Sequence, residues 1–392
     1  MKSQEDNNLD RSSNYKKTAL ILAGASDSKF WPRSTKKYPE QFICLLEDTS
    51  LFQKTFKLIN SKFDLENIRI VINDMYKDIA LEQINELKDE FIIIEPFPRH
   101  TAPAIGLSLI ILDEKYSDDT VFCIFPSDQY VKNIEEFYLS IDVACQAAYL
   151  LNGLITIGIE PTRPETHYGY IQYNENNVIK NYGSNQYSQA DNNFIIPEEL
   201  FKYGLRKSIN FAEKPDKITA QRFIESGDFI WNSGILVARK DVLFNAFEKF
   251  LNYHYEQFRS IQKFIGTKEF NEEVTRLYKT FNKISVDYGI LESAENVFVV
   301  KSTFSWTDLN DWDELYRISL KDALDNVLMG NIIAIDSKNS LAISDDKLIA
   351  MLGIDDIVVV NTDNAILLCK RGETRRIDEI LEFIKKKNIP LY

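Results

Sequence analysis

The sequence predicts an α/β fold in which a doubly wound, mostly parallel β-sheet is followed by a small all-β appendage resembling a β-helix. From about residue 17 to residue 161, short apolar runs alternate with helical patterns. The apolar runs are continuous, which is typical of strands buried on both faces. From about Gly330 the chain changes to short alternating strands separated by Asp, Asn, Ser and Gly turns. We therefore expect a flexible tail over 1–16, a sheet domain over 17–325 and the appendage over 326–392.

The first half of the chain carries the clearest alternation. Residues 18–24 form an apolar run that ends in Gly24, and residues 50–63 place apolar side chains at helical spacing behind Ser50, a common helix cap. The same alternation predicts further strands over 68–74, 91–96, 120–128 and 154–161, and helices over 78–88, 102–114 and 134–151. Strand–helix–strand units of this length predict right-handed crossovers between parallel strands.

The second half is less regular. Residues 174–206 are rich in Asn, Gln and Tyr, which predicts an inserted hairpin or lobe. Helices are predicted near 217–226, over most of 255–292 and over 376–387. The turns after Gly330 are typical of a few β-helix coils, but their spacing is too ragged to count the coils.

Composition excludes several classes of protein. The chain has 392 residues, 44 % of them apolar, so it can bury a sizeable core. Its net charge of −13 argues against a general role in binding nucleic acid or a membrane surface. No uncharged run approaches the ~18 residues that a membrane span needs, and residues 1–17 lack the apolar segment of a signal peptide. We expect a soluble, cytoplasmic protein.

The cysteines and histidines indicate no metal motif. Cys44, Cys123, Cys145 and Cys369 lie far apart and form no CxxC pair, so we expect buried free thiols in a reducing compartment. No histidine shares a short motif with another His or Cys, which argues against zinc. His254 is expected at the surface.

The first predicted strand runs into a polar loop that keeps Gly24 as its single glycine. Backbone N–H groups at such a junction can bind an anion, and Lys29, Arg33, Lys36 and Lys37 follow closely. The alternatives are an ordinary strand–turn–helix connection and a solvated basic loop.

Three residues, Gly24, Glu95 and Asp128, stand at the carboxyl ends of predicted strands. Ligands of doubly wound sheets bind beyond these ends, so we expect the three to converge on one crevice. Asp128 could hold a metal or form a turn. If Asp308, from a polar loop, meets Asp128, the two would hold Mg²⁺ and leave room for phosphate oxygens. Glu95 could accept hydrogen bonds from a guanine edge, or be a solvated strand end.

Taken together, these segments resemble the bacterial mannose-1-phosphate guanylyltransferases of the sugar-nucleotide pyrophosphorylase superfamily. The resemblance runs from about Ala19 to the C-terminus. The family's signature loop, LAGGSGTRLWP followed by PKQF, is similar to LAGASDSKFWP followed by YPEQF in this chain. The family's EPxGRNTAPA, PSDH and PTRPETGYGYI are similar to EPFPRHTAPA, FPSD and PTRPETHYGYI, and the blocks FAEKP, WNSG, SVDYGILE and FSWTDLNDWDEL follow in the family's order.

The resemblance implies a Rossmann-like nucleotidyltransferase that transfers GMP from GTP to mannose 1-phosphate and releases pyrophosphate. It implies that Asp128 and Asp308 hold Mg²⁺ and that Lys29 acts with them in catalysis. The loop from Leu22 to Lys29 would wrap the triphosphate, and the segment from Glu95 to Ala102 would read guanine. The implied nucleotide-binding residues are Leu22, Ala23, Gly24, Ala25, Ser26, Glu95, Thr101 and Ala102. The implied mannose 1-phosphate-binding residues are Gly169, Glu213, Lys214, Asn232 and Asp287, with Lys214 facing the phosphate.

The chain departs from the family most in the signature loop. Lys in place of the signature Arg keeps the charge but loses the planar fork, and an Asp beside a triphosphate would repel it. Arg33 could restore one charge. The altered loop positions are Ala25, Asp27, Lys29, Thr35 and Glu40, and outside the loop His100, Gln129 and His167 replace the family's Asn, His and Gly. These changes leave an alternative: a weakly active or inactive homologue that binds a sugar nucleotide or a partner enzyme as a regulator.

The expected partners are GTP and mannose 1-phosphate, without nucleic acid or membrane. An exposed face on the β appendage or on the helical region could pair two copies into a homodimer. GDP-mannose as product would feed the synthesis of surface polysaccharide or deoxysugars.

Overall fold

A computed structural model describes residues 15–25, 28–175 and 196–389. The strands are β1 (Lys17–Leu22), β2 (Ile68–Asn73), β3 (Ile92–Glu95), β4 (Val121–Pro126), β5 (Gln129–Val131), β6 (Leu154–Ile159), β7 (Gly169–Asn174), β8 (Leu205–Glu213), β9 (Phe229–Arg239), β10 (Val297–Ser302), β11 (Trp306–Asp308), β12 (Val327–Ile335), β13 (Leu341–Leu352), β14 (Ile357–Asn361) and β15 (Ile366–Lys370). The α-helices are α1 (Leu51–Asn60), α2 (Lys77–Gln83), α3 (Thr101–Ile111), α4 (Ile134–Leu151), α5 (Glu198–Lys202), α6 (Lys217–Ser226), α7 (Lys240–Phe250), α8 (Asn252–Ile261), α9 (Phe270–Thr280), α10 (Trp312–Ile318) and α11 (Ile377–Lys386). Most of the predicted tail, the centre of the predicted lobe (176–195) and the loop residues Ser26 and Asp27 lie outside the described residues.

A nine-stranded sheet of order β3-β2-β1-β4-β9-β6-β10-β8-β7 forms the body of the protein. Parallel pairing joins β3 to β2, β2 to β1, β1 to β4, and β6 to β10. The strands β8 and β9 run in the opposite direction. Each of them pairs in antiparallel register with all of its partners, which are β7 and β10 for β8 and β4, β6 and β7 for β9. The predicted α/β fold with a mostly parallel sheet is confirmed, with two antiparallel strands from the irregular middle of the sequence.

Both faces of the sheet are covered. In β1, Ala19 and Ile21 enter one apolar cluster with residues of α1 and α4, whereas Leu20 enters a second cluster with residues of α3 and α7. Because successive side chains of a strand point to opposite faces, a strand covered on both sides reads as a continuous apolar run. This burial explains why the sequence predicts β1 so clearly.

The start of α1 agrees with the sequence, whereas the end of α2 does not. The Ser50 hydroxyl accepts from the Gln53 N–H at 3.1 Å, and Gln53 Oε1 accepts from the Ser50 N–H at 2.9 Å. This reciprocal pair is a capping box. The predicted helix over 78–88 was too long, because α2 ends at Gln83 and Ile84 has extended backbone angles.

The appendage is β-helix-like, as predicted. Leu341 of β13 pairs in parallel with Val327 of β12 and with Val358 of β14, so successive strands stack in one direction. Gly330 has φ +89°, and a Cβ there would lie 1.9 Å from the Ser344 carbonyl oxygen, so this register shift requires glycine. No helix among the described residues is long and apolar enough to span a membrane.

The appendage shares its core with the last part of the signature loop. Phe30 and Trp31 belong to the same apolar cluster as Trp312 of α10 and Leu341 of β13. The Trp312 indole N–H donates to the Trp31 carbonyl oxygen at 3.0 Å. The appendage therefore packs directly against elements that flank the predicted site.

The expected burial of the cysteines is confirmed for two of the four, and the expected exposure of His254 is wrong. All four cysteines are free thiols, but Cys44 is exposed and Cys369 is half-buried, whereas Cys123 and Cys145 are buried with their sulfur atoms 3.3 Å apart. His254 is buried, with its ring centroid 4.4 Å from that of Phe281. Its packing partner comes from a distant segment, which local sequence does not reveal.

Candidate active site

Two carboxylates from distant segments lie at the carboxyl end of β4. Asp128 immediately precedes β5, and Asp308 ends β11, where it pairs with Gln129 of β5. Burial and then repulsion by Asp128 raise the pKa of Asp308, whereas the charge of Lys29 and a hydrogen bond from Asn310 (Nδ2 to Oδ2, 3.2 Å) lower it. The structure thus brings Asp128, Asp308 and Lys29 close enough to interact.

The chemistry of this pair fits a divalent cation. Two carboxylates that repel each other are both stabilised by a cation between them. Among the residues that the structure describes, no group of three or more His, Cys, Asp or Glu side chains could hold a metal ion. An ion at the pair would therefore keep coordination positions for oxygen atoms of a ligand or of water.

The loop after β1 is held by an amide side chain. Gln41 Nε2 donates to the carbonyl oxygens of Ala23 at 2.9 Å and of Ala25 at 2.8 Å. The Ala23 N–H in turn donates to the Val71 carbonyl oxygen at 2.8 Å. Gln41 had no predicted role, although its place in the YPEQF block was a signal that could have found it. Gln41 fixes the path of the loop that the sequence predicts to bind phosphate.

Gly24 passes directly over Glu95. A Cβ at Gly24 would lie 2.9 Å from Glu95 Oε2. Glu95 is 4 % exposed, and its Oε1 accepts from the Tyr278 hydroxyl at 3.1 Å. Burial raises the pKa of Glu95 to about 8. The loop therefore needs glycine here because of a close approach, and the alternative of a solvated strand end at Glu95 is wrong.

The start of α3 links the two halves of the candidate site. The Thr101 hydroxyl accepts from the Val286 N–H at 2.9 Å, and the Ala102 N–H donates to the Ile284 carbonyl oxygen at 3.2 Å. These contacts fix the segment that leads into Asp287. The backbone N–H of Ala102 therefore already has a hydrogen-bond acceptor within the protein.

The five predicted sugar-phosphate residues come together from distant segments. Gly169 of β7 pairs with Glu213 of β8, and a Cβ at Gly169 would lie 2.8 Å from Glu213 Oε2. Lys214 Nζ is 3.4 Å from Glu213 Oε1, and Asn232 Nδ2 donates to Asp287 Oδ1 at 2.8 Å. Burial and repulsion by Glu213 raise the pKa of Asp287 to about 6. The hydrogen bond from Asn232 and the charge of Lys214 act in the opposite direction and lower this pKa.

Direct contacts join the carboxylate pair to this second group. The side-chain amide of Gln129 donates to the Ser233 carbonyl oxygen. The Tyr168 ring packs edge to face against Trp231 and Trp306, each at a centroid distance of 5.2 Å. Gln129 follows Asp128, and Trp231 and Ser233 flank Asn232, so these contacts place the two groups side by side.

The structure shows the surroundings of Arg33 and of two altered loop positions, Glu40 and Thr35. Arg33, which could restore one charge to the loop, pairs in this structure with Asp345 Oδ1 of the appendage at 2.5 Å. Glu40 is 2 % exposed and begins a short 3₁₀ turn. Thr35 exchanges backbone hydrogen bonds with Tyr38, both at 3.0 Å. A role of Arg33 at the loop therefore stays a prediction, and in this structure its guanidinium contacts the appendage.

Comparisons with known proteins agree with this geometry. A nucleotidyl transferase family model matches residues 18–184 and 196–324, and a model of the MannoseP isomerase/GMP-like beta-helix domain matches residues 330–383. A mannose-1-phosphate guanylyltransferase of Escherichia coli is 28 % identical over 380 residues, covering 93 % of this chain and 75 % of the relative. The xanthan biosynthesis protein XanB of Xanthomonas campestris is 30 % identical over 372 residues, covering 93 % and 73 %.

A solved structure has the same fold. The crystal structure of a Thermus thermophilus protein, described as a mannose-1-phosphate geranyltransferase, is similar with a TM-score of 0.79 and 24 % identity. The similarity covers 94 % of this chain and 99 % of that one. Because the first family model spans more than half of the sequence, the chain belongs to the nucleotidyl transferase family, with a C-terminal β-helix domain of the MannoseP isomerase/GMP-like type.

Proposed function

We propose that this chain is a mannose-1-phosphate guanylyltransferase, which transfers GMP from GTP to mannose 1-phosphate and releases pyrophosphate. The observation that carries the proposal is the junction, in one crevice, of the Asp128–Asp308 pair with the group around Asn232 and Asp287. Curated relatives from Escherichia coli and Klebsiella pneumoniae are named for this reaction. The xanthan and alginate biosynthesis relatives support a role in supplying polysaccharide synthesis.

The reaction needs no covalent enzyme intermediate. A phosphate oxygen of mannose 1-phosphate attacks the α-phosphorus of GTP in line, the bond to the bridging β-phosphate oxygen breaks, and pyrophosphate leaves. Catalysis then consists of positioning and charge neutralisation. Asp128 and Asp308 would hold Mg²⁺, which when bound neutralises phosphate charge. Lys29, whose charge already acts on Asp308, would stabilise the triphosphate.

We assign the nucleotide to the loop side of the crevice. Backbone N–H groups of the loop over Leu22 to Ser26 would bind phosphate. Glu95 would accept from the guanine edge, which is supported by its place directly beneath Gly24. Thr101 and Ala102 would shape the pocket by holding the start of α3 against the 284–286 segment.

We assign the sugar phosphate to the other side. The carboxylates of Glu213 and Asp287 and the amide of Asn232 would bind hydroxyl groups, and Lys214 would face the phosphate. This assignment is supported by the mutual contacts of these side chains, which hold several hydrogen-bonding groups at one place. Gly169 leaves room beside Glu213 because a Cβ would occupy it.

Pyrophosphate release tests the function. Purified protein with GTP, mannose 1-phosphate and Mg²⁺ is expected to release pyrophosphate, and a panel of other nucleotides and hexose phosphates should react more slowly. Asp128→Asn is expected to lower kcat by about a thousandfold, because one of two cation ligands is lost. Asp363→Asn, at an exposed turn of the appendage, is the matched control. Unchanged activity of Asp128→Asn would refute the role of the pair.

The alternative of a regulator has a distinct signature. It would bind GDP-mannose tightly and release no pyrophosphate above the blank. The relatives reported above are named as guanylyltransferases or biosynthesis proteins, and none of these is named as a regulator. The observations therefore favour the enzyme.

We also propose a homodimer in the cytoplasm, where GTP is available, with units at 17–325 and 326–392. The dimer is supported by exposed apolar side chains on the appendage: Leu352 is 70 %, Leu368 is 67 % and Ile366 is 61 % exposed. Light scattering is expected to give twice the chain mass of 45.5 kDa. A mass of one chain at assay concentrations would contradict the dimer.

A further inference from the structure

Arg375 lies in the appendage, in the turn before α11, but its guanidinium reaches the sheet domain. Its Nε donates to Asp311 Oδ2 at 2.8 Å, one terminal nitrogen donates to Glu165 Oε2 at 3.0 Å, and the other lies 2.9 Å from His167 Nδ1. A guanidinium has no acceptor, so Arg375 is the donor in each of these contacts. Three contacts from one planar group fix its orientation.

The first partner, Asp311, belongs to the segment that carries Asp308. It is 2 % exposed and lies three residues after Asp308. Its second oxygen, Oδ1, accepts from the Glu314 N–H at 2.7 Å and caps α10. Arg375 therefore holds the turn that leads away from the carboxylate pair.

The second partner, Glu165, belongs to the segment that carries Gly169. It is 5 % exposed, and its Oε1 accepts from the N–H groups of Thr166 at 3.0 Å and of His167 at 3.3 Å. Burial alone would raise its pKa, but hydrogen bonding and charge from Arg375, together with the charge of Arg163, lower the pKa of Glu165 to about 2. The ionised carboxylate thus shapes the turn just before the sugar-phosphate group.

We propose that Arg375 is a positioning residue for the transferase reaction, through which the β-helix appendage ties the Asp308 segment to the Gly169 segment. This inference rests on the proposed function. Arg163 also pairs with Glu165 at 3.2 Å and with Glu314 at 2.7 Å, so Glu165 would keep one cation without Arg375. The buried carboxylate of Asp311 would lose its contact with Arg375, and the two segments would lose their tie to the appendage. The expected consequence is a poorly placed sugar phosphate relative to the carboxylate pair.

The neighbouring Arg376 provides a matched control. It pairs with Glu373 at 3.1 Å and with Glu379 at 2.8 Å, both within the appendage. Arg375→Ala is expected to lower kcat/KM for mannose 1-phosphate by about tenfold or more, while the KM for GTP changes by less than about threefold. For Arg376→Ala, kcat/KM for mannose 1-phosphate and the KM for GTP are both expected to stay within about twofold of the wild-type values. Millimolar ethylguanidinium should restore part of the loss in Arg375→Ala, and ethylammonium should not.

Several results would overturn the proposal. One is an Arg375→Ala enzyme that matches Arg376→Ala in all kinetic constants, and another is a loss that affects both substrates equally and follows the fraction of unfolded protein by circular dichroism. If Arg375→Ala does not fold, Arg375→Gln, which keeps side-chain N–H donors, takes its place under the same criteria. Failure of both variants to fold would make the residue structural and would also overturn the proposal.

Hydrogen exchange separates this inference from the proposed function. If the wild type releases no pyrophosphate, the function fails, but the link can still be measured. Amides of Thr166 and His167, which donate to Glu165, are expected to exchange faster in Arg375→Ala and at the wild-type rate in Arg376→Ala. Equal exchange in the two variants would refute the link itself.

Discussion

The proposed nucleotide side and the proposed sugar side of the site are held in different ways. On the nucleotide side, the main chain of the loop is fixed by the Gln41 amide and passes over Glu95 through Gly24. On the sugar side, side chains hold one another, as in the contact of Asn232 with Asp287. Backbone N–H groups bind phosphate whatever side chains they carry. On this proposal, departures from the family can concentrate in the loop while the five proposed sugar-phosphate residues are kept.

Among the changes that test this comparison, the largest effect is expected at Gly24. In Gly24→Ala the new Cβ would lie 2.9 Å from an oxygen of Glu95, which is 4 % exposed and held by Tyr278. Because this carboxylate cannot turn away, the loop must move, and kcat/KM for GTP should fall by about a hundredfold. Steady-state kinetics with GTP varied at saturating mannose 1-phosphate provide the measurement. A change confined to the KM for mannose 1-phosphate would contradict the assignment of the loop to the nucleotide.

Gly169→Ala is the matched change on the sugar side. Its Cβ would lie 2.8 Å from Glu213 Oε2, but the side chain of Glu213 is 31 % exposed and can rotate. We therefore expect a smaller loss, of about tenfold, in kcat/KM for mannose 1-phosphate. The KM for GTP is expected to stay near that of the wild type. If both glycine variants affect the same substrate, the two-sided description of the crevice is wrong.

Removal of the Gln41 amide should loosen the nucleotide side. Gln41→Ala loses two hydrogen bonds to loop carbonyl oxygens, and kcat/KM for GTP should fall by about tenfold. Gln53→Ala is the control, because its amide donates to the Gln83 carbonyl oxygen at 2.9 Å, away from the loop. Gln53→Ala should lower Tm and leave the KM for GTP unchanged. Equal effects of the two variants on that KM would argue against a role for Gln41 in the site.

A further prediction, measured without substrates, concerns the pH dependence of stability. The pKa of Glu95 is raised from 4.5 to about 8 by burial, so the native state holds this proton more tightly than the unfolded chain. The free energy of unfolding should therefore fall as pH rises between about 4.5 and about 8. Glu95→Gln removes this titrating group. The Tm of the variant should therefore equal that of the wild type near the lower end of this pH range and exceed it near the upper end. Parallel Tm curves for the two proteins would contradict the assignment.

The sequence predicts those features that depend on local pattern or on motif order. The alternation that predicts β1 to β4 reflects strands buried on both faces. The proximity of Asp128 and Asp308 could be predicted from the motifs FPSD and FSWTDLNDWDEL that contain them. The antiparallel β8 and β9 come from the region where the pattern is irregular. Their direction depends on which strands they join, and local sequence does not specify that choice.

Long-range pairing of charged side chains could not be predicted. Arg375 and Glu165 are 210 positions apart, and Arg33 and Asp345 are 312 apart. An arginine can pair with any carboxylate that the fold brings within reach, and no short motif records the partner. This is why Arg33 was assigned to the loop and Arg375 had no predicted role.

Transfer of an isotopic label tests the central claim most directly. The protein is incubated with Mg²⁺, mannose 1-phosphate and GTP labelled at the α-phosphorus or, separately, at the γ-phosphorus. We expect the α-label to appear in GDP-mannose and the γ-label in pyrophosphate, both at greatly reduced rates in Asp128→Asn. Retention of the α-label in GTP, or its release as GMP without GDP-mannose, would contradict the proposed transfer.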